Sequence, residues 1–165
     1  MRIIGIDPGT ASCGFGIIDE EDGRLNVVNY GVIRTRPADG DASQRLQIIY
    51  QDLNELLNTY KPDVAAVEEL FFGRNISTAI TVGQARGVLL LALANSQIPV
   101  AEYSPPKIKE AVSGYGNASK EQVQYMVQNL LELEEKPKPD DAADGLAVAL
   151  THYQHWRSEL LYGTQ

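Results

Sequence analysis

The first 34 residues show the hydrophobic pattern of three strands joined by short connections. Apolar residues dominate positions 2–7, 13–19 and 25–34, and the turn-forming stretches "PGTAS" and "EEDGR" separate them. The dipeptide Asp22-Gly23 in the second connection favours a hairpin turn. Strands that follow one another this closely predict an antiparallel three-stranded meander.

Between Asp41 and Pro62 the hydrophobic period changes to that of a helix. The apolar stripe consists of Leu46, Ile49, Leu53, Leu56 and Tyr60. Asp41 and Gln44 have the spacing of a capping box, in which each side chain binds the backbone N–H of the other residue. The pattern therefore predicts a helix that begins after Asp41 and ends before Pro62.

The remaining pattern alternates strands with helices and ends in three consecutive helices. Strands are predicted at 63–69 and 98–103, and helices at 76–97, after Pro106, after Ser119 and at 140–156. Ser119 and Gln122 form a second capping box. The order βββαβαβααα predicts an α/β fold with a mixed five-stranded sheet flanked by helices on both faces. We expect one domain over residues 1–157 and a C-terminal tail over 158–165.

The composition argues against a protein that coats nucleic acid through its net charge. The 165 residues include 14 basic and 22 acidic ones, for a formal charge of −8. Two divalent cations bound by carboxylates would neutralise half of this excess, and local basic clusters can still contact phosphates. The longest apolar run, at 88–94, is far shorter than the ~20 residues that span a bilayer. We expect no signal peptide, no membrane-spanning helix, a cytoplasmic location, and a buried thiol at Cys13.

Four acidic residues occupy positions where a mixed sheet forms its sites. Asp7 ends the first predicted strand and Glu68 ends the fourth, so neighbouring strands can present both carboxylates at one edge. Asp141 and Asp144, spaced i and i+3, share one face of the first turns of the last helix. Three of them also have ordinary structural explanations: an Asx turn for Asp7, a solvated strand end for Glu68 and a favourable helix N-terminus for Asp141.

Asp144 is harder to explain structurally, because it interrupts the small-residue face of "AADGLAVA", where an unpaired charge is costly. Asp140 is expected to be the N-cap of this helix. His152 and His155 follow later in it and are expected to be surface or packing residues. The four acids together suit hard cations, since Mg²⁺ prefers carboxylate oxygens and Mn²⁺ accepts the same ligands. Two such ions on one phosphodiester give nuclease chemistry.

Four motifs spread along the chain carry a resemblance to a known family. They are "GIDPGT", "AVEELFFGRN", "VGQARGVLL" and "DDAADGLAVALTHY", and in this order and spacing they resemble the RuvC family of bacterial Holliday junction resolvases. The resemblance extends from Arg2 to about Tyr153. It implies an RNase H-like fold, a homodimer, and Mg²⁺-dependent symmetric nicking of two opposed strands of a four-way DNA junction.

The resemblance also assigns the residues of the active site. The catalytic and metal-binding acids fall on Asp7, Glu68, Asp141 and Asp144. Two Mg²⁺ ions are implied in each site, with Mn²⁺ as a substitute and Asp7 as the bridging ligand. Glu69, next along the strand, is then expected to point to the opposite face.

DNA contacts, a dimer interface and partner proteins are implied as well. Phe71 matches an aromatic wedge that stacks on a base near the junction centre, and Phe72 is expected to pack. The candidates for phosphate contact are Arg74, Asn75, Lys107, Lys109 and Lys120. Gly83 and Gly87, spaced i and i+4, allow close approach at a dimer interface. Each also has an ordinary alternative, namely a core phenylalanine, solvated lysines or intramolecular packing. RuvA and RuvB, the branch-migration proteins, are the implied partners.

Three other functions compete with this interpretation. The "DPGT" turn also resembles the phosphate-binding opening of actin-like and sugar-kinase ATPases, but those enzymes need a second such lobe. An RNase H-like nuclease of ribosomal RNA processing shares the opening motif, whereas "AVEELFFGRN" and the helix after it match the RuvC family. A junction-binding protein without activity has no need of four mutually repelling carboxylates.

Overall fold

The chain folds into five strands and five helices over residues 1–70 and 76–163, the part that this computed structural model describes. The strands are β1 (Arg2–Asp7), β2 (Ser12–Glu21), β3 (Arg24–Arg34), β4 (Val64–Glu68) and β5 (Val100–Tyr103). The helices are α1 (Ala42–Tyr60), α2 (Ile76–Asn95), α3 (Pro105–Ser113), α4 (Lys120–Leu130) and α5 (Asp140–Tyr162), with a short 3-10 helix at Pro37–Asp39. The predicted order of elements is confirmed.

All five strands form one mixed sheet in the order β3-β2-β1-β4-β5. Strands β1 to β3 are the predicted antiparallel meander, in which Asp7 lies opposite Gly14. Strand β4 runs parallel to β1, and β5 runs parallel to β4 with Tyr103 opposite Glu68. The carboxyl ends of β1, β4 and β5 therefore meet at one edge of the sheet.

Helices cover both faces of the sheet, as predicted. Ile3 of β1 packs in a core cluster with α3, α4 and α5. Ile4 and Ile6 pack in a second cluster with α1 and α2. Because successive side chains of a strand point to opposite faces, the odd-numbered residues of β1 lie under α5.

Helix α5 lies directly on the backbone of β2 because glycines line the contact. A Cβ atom at Gly145 would lie 2.5 Å from backbone carbons of Phe15, and one at Gly14 would lie 1.8 Å from the carbonyl oxygen of Asp141. A larger residue at either position would push the helix away from the sheet. The first turn of α5 is thus held against the edge where β1 ends.

The limits of α5 differ from the sequence prediction at both ends. Pro139, with extended backbone angles, is the N-cap, so the prediction that Asp140 is the N-cap is wrong and Asp140 is the first helical residue. At the other end the helix continues beyond Trp156 to Tyr162, into the segment predicted as a C-terminal tail. The last buried residue of this helix is Tyr153, and its last turns expose Leu160, Leu161 and Tyr162 to solvent.

Several smaller expectations are confirmed. Both capping boxes are present, Asp41 with Gln44 and Ser119 with Gln122. Cys13 is fully buried. His152 and His155 are packing residues, since Nδ1 of His152 lies 2.9 Å from the Tyr103 hydroxyl and the ring of His155 stacks on Tyr103 with centroids 5.1 Å apart.

Candidate active site

Asp7 and Glu68 lie side by side at the ends of two parallel strands. Ile6 of β1 pairs with Val67 of β4, so the next residue of each strand emerges at the same edge of the sheet. Ala66 packs on the face that α5 covers, and the alternation of side chains directs Glu68, like Asp7, to that face. The two carboxyl groups share a hydrogen bond.

The first turns of α5 add Asp141 and Asp144 to this pair. One carboxylate oxygen from each of Asp7, Asp141 and Asp144 lies within 4.8 Å of the other two. A group of three carboxylate oxygens at this spacing fits a hard divalent cation. Asp7 therefore belongs to two groups of acids. It is hydrogen-bonded to Glu68, and it contributes one of these three carboxylate oxygens. Glu69, by contrast, is exposed to solvent.

The crowding of acids changes their ionisation. Burial, together with the hydrogen bond and the charge of Glu68, raises the pKa of Asp7 to about 9. Burial also raises the pKa of Glu68 and of Asp144, and the charges of neighbouring acids raise both further. Like charges held this closely repel one another, and a bound divalent cation offsets that repulsion. The ionisation pattern therefore fits a cation site.

Two lysines face the acids across a cavity of about 250 Å³. Lys120, the first residue of α4, places Nζ 3.0 Å from Oδ2 of Asp144 and 3.9 Å from Oδ1 of Asp141. Lys109 of α3 lines the same cavity, and its charge opposes the rise in the pKa of Glu68. The structure thus brings both predicted lysines to the acidic cluster.

Lys107, predicted alongside Lys109, lies in a different groove. It is exposed and lines that groove with Glu110 and His155. Two positions along a helix correspond to about 200° of rotation, so Lys107 and Lys109 point in nearly opposite directions. A contact between Lys107 and DNA stays a prediction.

The remaining predicted site residues fall in or beside a stretch outside the described residues. Phe71, Phe72, Arg74 and Asn75 lie in that stretch, and the predictions made for them stay predictions. Of the two glycines, Gly83 faces the side chain of Leu70, whereas Gly87 is exposed and has open space where a Cβ would be.

Sequence reasoning missed two residues that contact the acids. Ser12 donates a hydrogen bond from Oγ to Oδ2 of Asp141. Arg86 of α2 donates from Nε to the backbone carbonyl of Glu68 over 3.1 Å and pairs with Glu102 of β5. Arg86 had a signal, since it is the one charged residue in "VGQARGVLL". Ser12 had none, since the sequence pattern placed it in the turn-forming stretch before the second strand.

A larger groove, of about 850 Å³, lies between the β2–β3 turn and the end of α5. Glu132 is the one acid among its described lining residues. The chemistry of the lining, rather than the volume, therefore locates the candidate site in the smaller cavity.

Comparison with known proteins identifies the family. A family model described as "Crossover junction endodeoxyribonuclease RuvC" matches residues 3–152. The chain belongs to the RuvC family. The RuvC of Heliobacterium modesticaldum is 57% identical over 150 residues, which cover 91% of this chain and 92% of that protein. The RuvC of Syntrophomonas wolfei is 54% identical over 157 residues, which cover 95% and 91%.

Solved structures agree with this assignment. Thermus thermophilus RuvC in complex with a Holliday junction substrate matches with a TM-score of 0.89 at 37% identity, covering 95% of each chain. The yeast mitochondrial Holliday junction resolvase, 19% identical, matches with a TM-score of 0.68 over 97% of this chain and 82% of its own. At that identity the second match concerns the fold alone. The predicted RNase H-like fold is confirmed.

Membership of the RuvC family decides the activity. The chain is a crossover junction endodeoxyribonuclease, a Holliday junction resolvase of DNA recombination and repair. The function predicted from the four motifs is confirmed. Neither the ATPase nor the RNA-processing alternative finds support in these comparisons.

Proposed function

We propose that this RuvC family member hydrolyses one phosphodiester in each of two opposed junction strands at the acidic cluster, with Mg²⁺ as its cofactor. The position of Asp7 carries the proposal. Asp7 is hydrogen-bonded to Glu68 and also lies within 4.8 Å of carboxylate oxygens of Asp141 and Asp144. A carboxylate that belongs to two groups of acids could be a ligand of two cations, which together would supply the chemistry of two-metal phosphodiester hydrolysis.

The four acids would hold the cations between the edge of the sheet and the first turn of α5. Ions held there would supply an activated water molecule and would stabilise the leaving oxygen of the scissile phosphodiester. The carboxyl groups supply the oxygen donors that both Mg²⁺ and Mn²⁺ accept. Because burial raises the pKa of Asp7 to about 9, this group must give up a proton to become a ligand. Activity is therefore expected to depend on pH as well as on metal.

Lys109 and Lys120 support the same proposal from the other side of the cavity. Both line the same cavity as Asp7, Glu68 and Asp144. An ammonium group there attracts the phosphodiester and stabilises negative charge that develops on it. The further DNA contacts that we propose, on the family resemblance, are Phe71, Arg74, Asn75 and Lys107.

A homodimer formed through α2 is part of the proposal. Ile80 and Leu91 are 58% and 56% exposed on this helix, and open space surrounds Gly87 between them. The length and composition of α2 would also allow it to cross a membrane, but core helices of soluble proteins meet the same criterion. The opposite face of α2, with Leu89, is buried in the core. A two-fold dimer would present two equivalent sites to the two opposed strands.

The remaining expectations are proposals that rest on the family. We propose RuvA and RuvB as partners, a cytoplasmic location, and the single domain predicted over residues 1–157, extended to Tyr162 because α5 continues that far. One continuous sheet with helices on both faces supports the single domain.

Cleavage of a synthetic mobile four-way junction tests the metal and the acids. Each strand is labelled in turn, and the wild type is compared with Asp7→Asn in Mg²⁺, in Mn²⁺ and in chelator. We expect paired symmetric nicks from the wild type with metal only. Asp7→Asn should bind the junction without cutting it, because it loses a metal ligand and keeps the basic contacts. Asp52→Asn, which removes a half-buried acid of α1, should cut like the wild type.

Different failures point to different parts of the proposal. Cutting by the wild type in chelator would overturn the metal dependence. A large fall in both Tm and junction binding in Asp7→Asn would make Asp7 a structural residue. Nicks confined to one strand would overturn the two-site dimer.

A further inference from the structure

The hydroxyl group of Ser12 lies beside the acidic cluster without belonging to it. Its Oγ donates a hydrogen bond to Oδ2 of Asp141. Ser12 is the first residue of β2, and the alternation of side chains puts it on the same face as Gly14. The carbonyl oxygen of Asp141 lies so close over Gly14 that no Cβ atom fits there. The hydrogen bond therefore joins two backbone segments whose separation is already fixed.

The turn that leads into Ser12 is also anchored. Thr10 donates from Oγ1 to the carbonyl oxygen of Thr81 on α2 over 2.8 Å. Thr35, just after β3, donates from Oγ1 to the carbonyl oxygen of Thr10 over 2.6 Å. With the turn held from two sides, the hydroxyl of Ser12 is presented to Asp141 from a constant position.

The two carboxylate oxygens of Asp141 have different neighbours. Oδ2 accepts the hydrogen bond from Ser12, whereas Oδ1 lies 3.9 Å from Nζ of Lys120, which also pairs with Asp144. Oδ1 is therefore the oxygen on the side of Lys120 and Asp144. The side chain of Asp141 is 38% exposed, against 26% for Asp144, so packing restrains it less. A hydrogen bond to Oδ2 supplies the restraint that packing does not.

We propose that Ser12 is a positioning residue of the metal site, which holds Oδ2 of Asp141 so that Oδ1 faces the cation position shared with Asp7. This inference rests on the proposed metal-dependent function. Hydrogen-bond partners that orient a metal ligand typically change metal affinity about 10–100-fold when they are removed. Because Asp141 is one ligand among four, we expect an effect at the lower end of that range.

Metal binding by four proteins tests the assignment: the wild type, Ser12→Ala, Ser12→Thr and Ser43→Ala. Ser43 donates from Oγ to Oδ1 of Asp41 over 2.7 Å at the start of α1. Ser43→Ala therefore removes the same kind of hydrogen bond outside the cluster. Affinity is measured as the rise in Tm with Mg²⁺ concentration and by titration calorimetry with Mn²⁺. Junction binding in chelator and junction cleavage against Mg²⁺ concentration complete the comparison.

We expect Ser12→Ala to need about tenfold more Mg²⁺ than the wild type for half of its Tm rise and for half-maximal cleavage. Ser12→Thr keeps the hydroxyl group and should match the wild type, as should Ser43→Ala. Junction binding in chelator should be the same for all four proteins, because none of the changes removes a basic side chain.

A purely structural link between β2 and α5 gives a different result. In that case Ser12→Ala lowers the Tm in chelator and leaves the Mg²⁺ dependence unchanged, which would overturn the proposal. Equal effects of Ser12→Ala and Ser43→Ala would overturn it too. If the wild type itself responds to neither Mg²⁺ nor Mn²⁺, the proposed function fails, and this outcome is distinct because no variant then responds to metal.

Discussion

The carboxyl groups of Asp7 and Glu68, at the ends of the parallel strands β1 and β4, share a hydrogen bond. A hydrogen bond between two carboxyl groups requires a proton on one of them. Burial and the neighbouring acid raise the pKa of Asp7 to about 9, which keeps that proton in place near neutral pH. At the proposed metal site, protons and metal ions would therefore compete for the same oxygens, and the stability of the chain would be linked to both.

In chelator, the stability of the chain should fall as pH rises from about 5 to 9. Asp7 keeps a proton in the folded chain up to a pKa of about 9, whereas the unfolded chain releases it near 3.8. Within this window the folded state binds more protons than the unfolded state, so the free energy of unfolding decreases with pH. Asp7→Asn cannot ionise. Its Tm at pH 8 should exceed that of the wild type, by roughly 2–4 °C for each kcal/mol that keeping Asp7 protonated costs the folded wild type.

Thermal unfolding between pH 5 and 9 measures this effect. Asp52→Asn is the control, because Asp52 lies on α1, where burial and Glu55 raise its pKa outside the cluster. The Tm of Asp52→Asn should change with pH nearly as the Tm of the wild type does. Saturating Mg²⁺ should flatten or reverse the wild-type slope, since the acids bind metal better as they lose protons. Parallel profiles for the wild type and Asp7→Asn in chelator would contradict the assignment of the proton to this pair.

Lys120 should affect metal affinity and cleavage in opposite directions. Burial lowers its pKa, but the hydrogen bond with Asp144 and the charges of the acids more than compensate, so the pKa is raised and the ammonium group stays charged. Lys120→Gln removes a cation that competes with Mg²⁺ for Asp144. Mg²⁺ affinity should rise by up to about fivefold, the equivalent of roughly 1 kcal/mol for an exposed ion pair. Cleavage at saturating Mg²⁺ should fall at least about tenfold, because charge stabilisation at the phosphodiester is lost.

Single-turnover cleavage, beside a titration with Mg²⁺ followed by Tm, separates the two effects. Lys136→Gln makes the same change of net charge at an exposed position in the linker before α5 and should alter neither quantity. If Lys120→Gln lowers both metal affinity and cleavage, Lys120 holds the acids in place rather than competing with Mg²⁺ for Asp144.

The exposed face of α2 should control the oligomeric state. Leu91 is 56% exposed on α2, and Leu160 is 66% exposed near the end of α5. Leu91→Glu places a charge in the proposed interface and should shift the chain to monomer and reduce paired nicking, whereas Leu160→Glu should do neither. Sedimentation and labelled junctions measure the two effects. A wild type that is monomeric while cutting both strands, or equal effects of the two variants, would contradict the proposed interface.

Much of the fold could be predicted from the sequence because its signals are local. Period-two and period-3.6 patterns located the strands and helices, and capping boxes marked the starts of two helices. The end of α5 was missed because its last turns extend into solvent, where apolar periodicity is not required. Pro139 was overlooked as the N-cap because an aspartate is the more usual cap, and the backbone angles that decide it are absent from the sequence pattern.

The acids of the site could be predicted because strand ends and helix starts are visible in the pattern. Ser12 could not, since nothing in β2 indicates that the first turn of α5 crosses above it. The sequence pattern also did not show which residues of α3 face the acids. Helix α3 begins at Pro105, and this start directs Lys109 into the cavity and Lys107 into another groove. Residue type and spacing thus predict which acids come together, whereas the packing of separate elements determines their partners.

The four acids are distributed from the first strand to the last helix, and this has a consequence for synthesis. A nascent chain exposes β1 and β4 well before α5 has left the ribosome, so it holds Asp7 and Glu68 without Asp141 and Asp144. Such a chain lacks half of the acids, and the rest of the cluster arrives only when α5 docks on the glycines of β2. If these four acids form the cutting centre, as proposed above, that centre is complete only once α5 has docked on the sheet, and a chain truncated before α5, which lacks two of the proposed metal ligands, should cut no junctions.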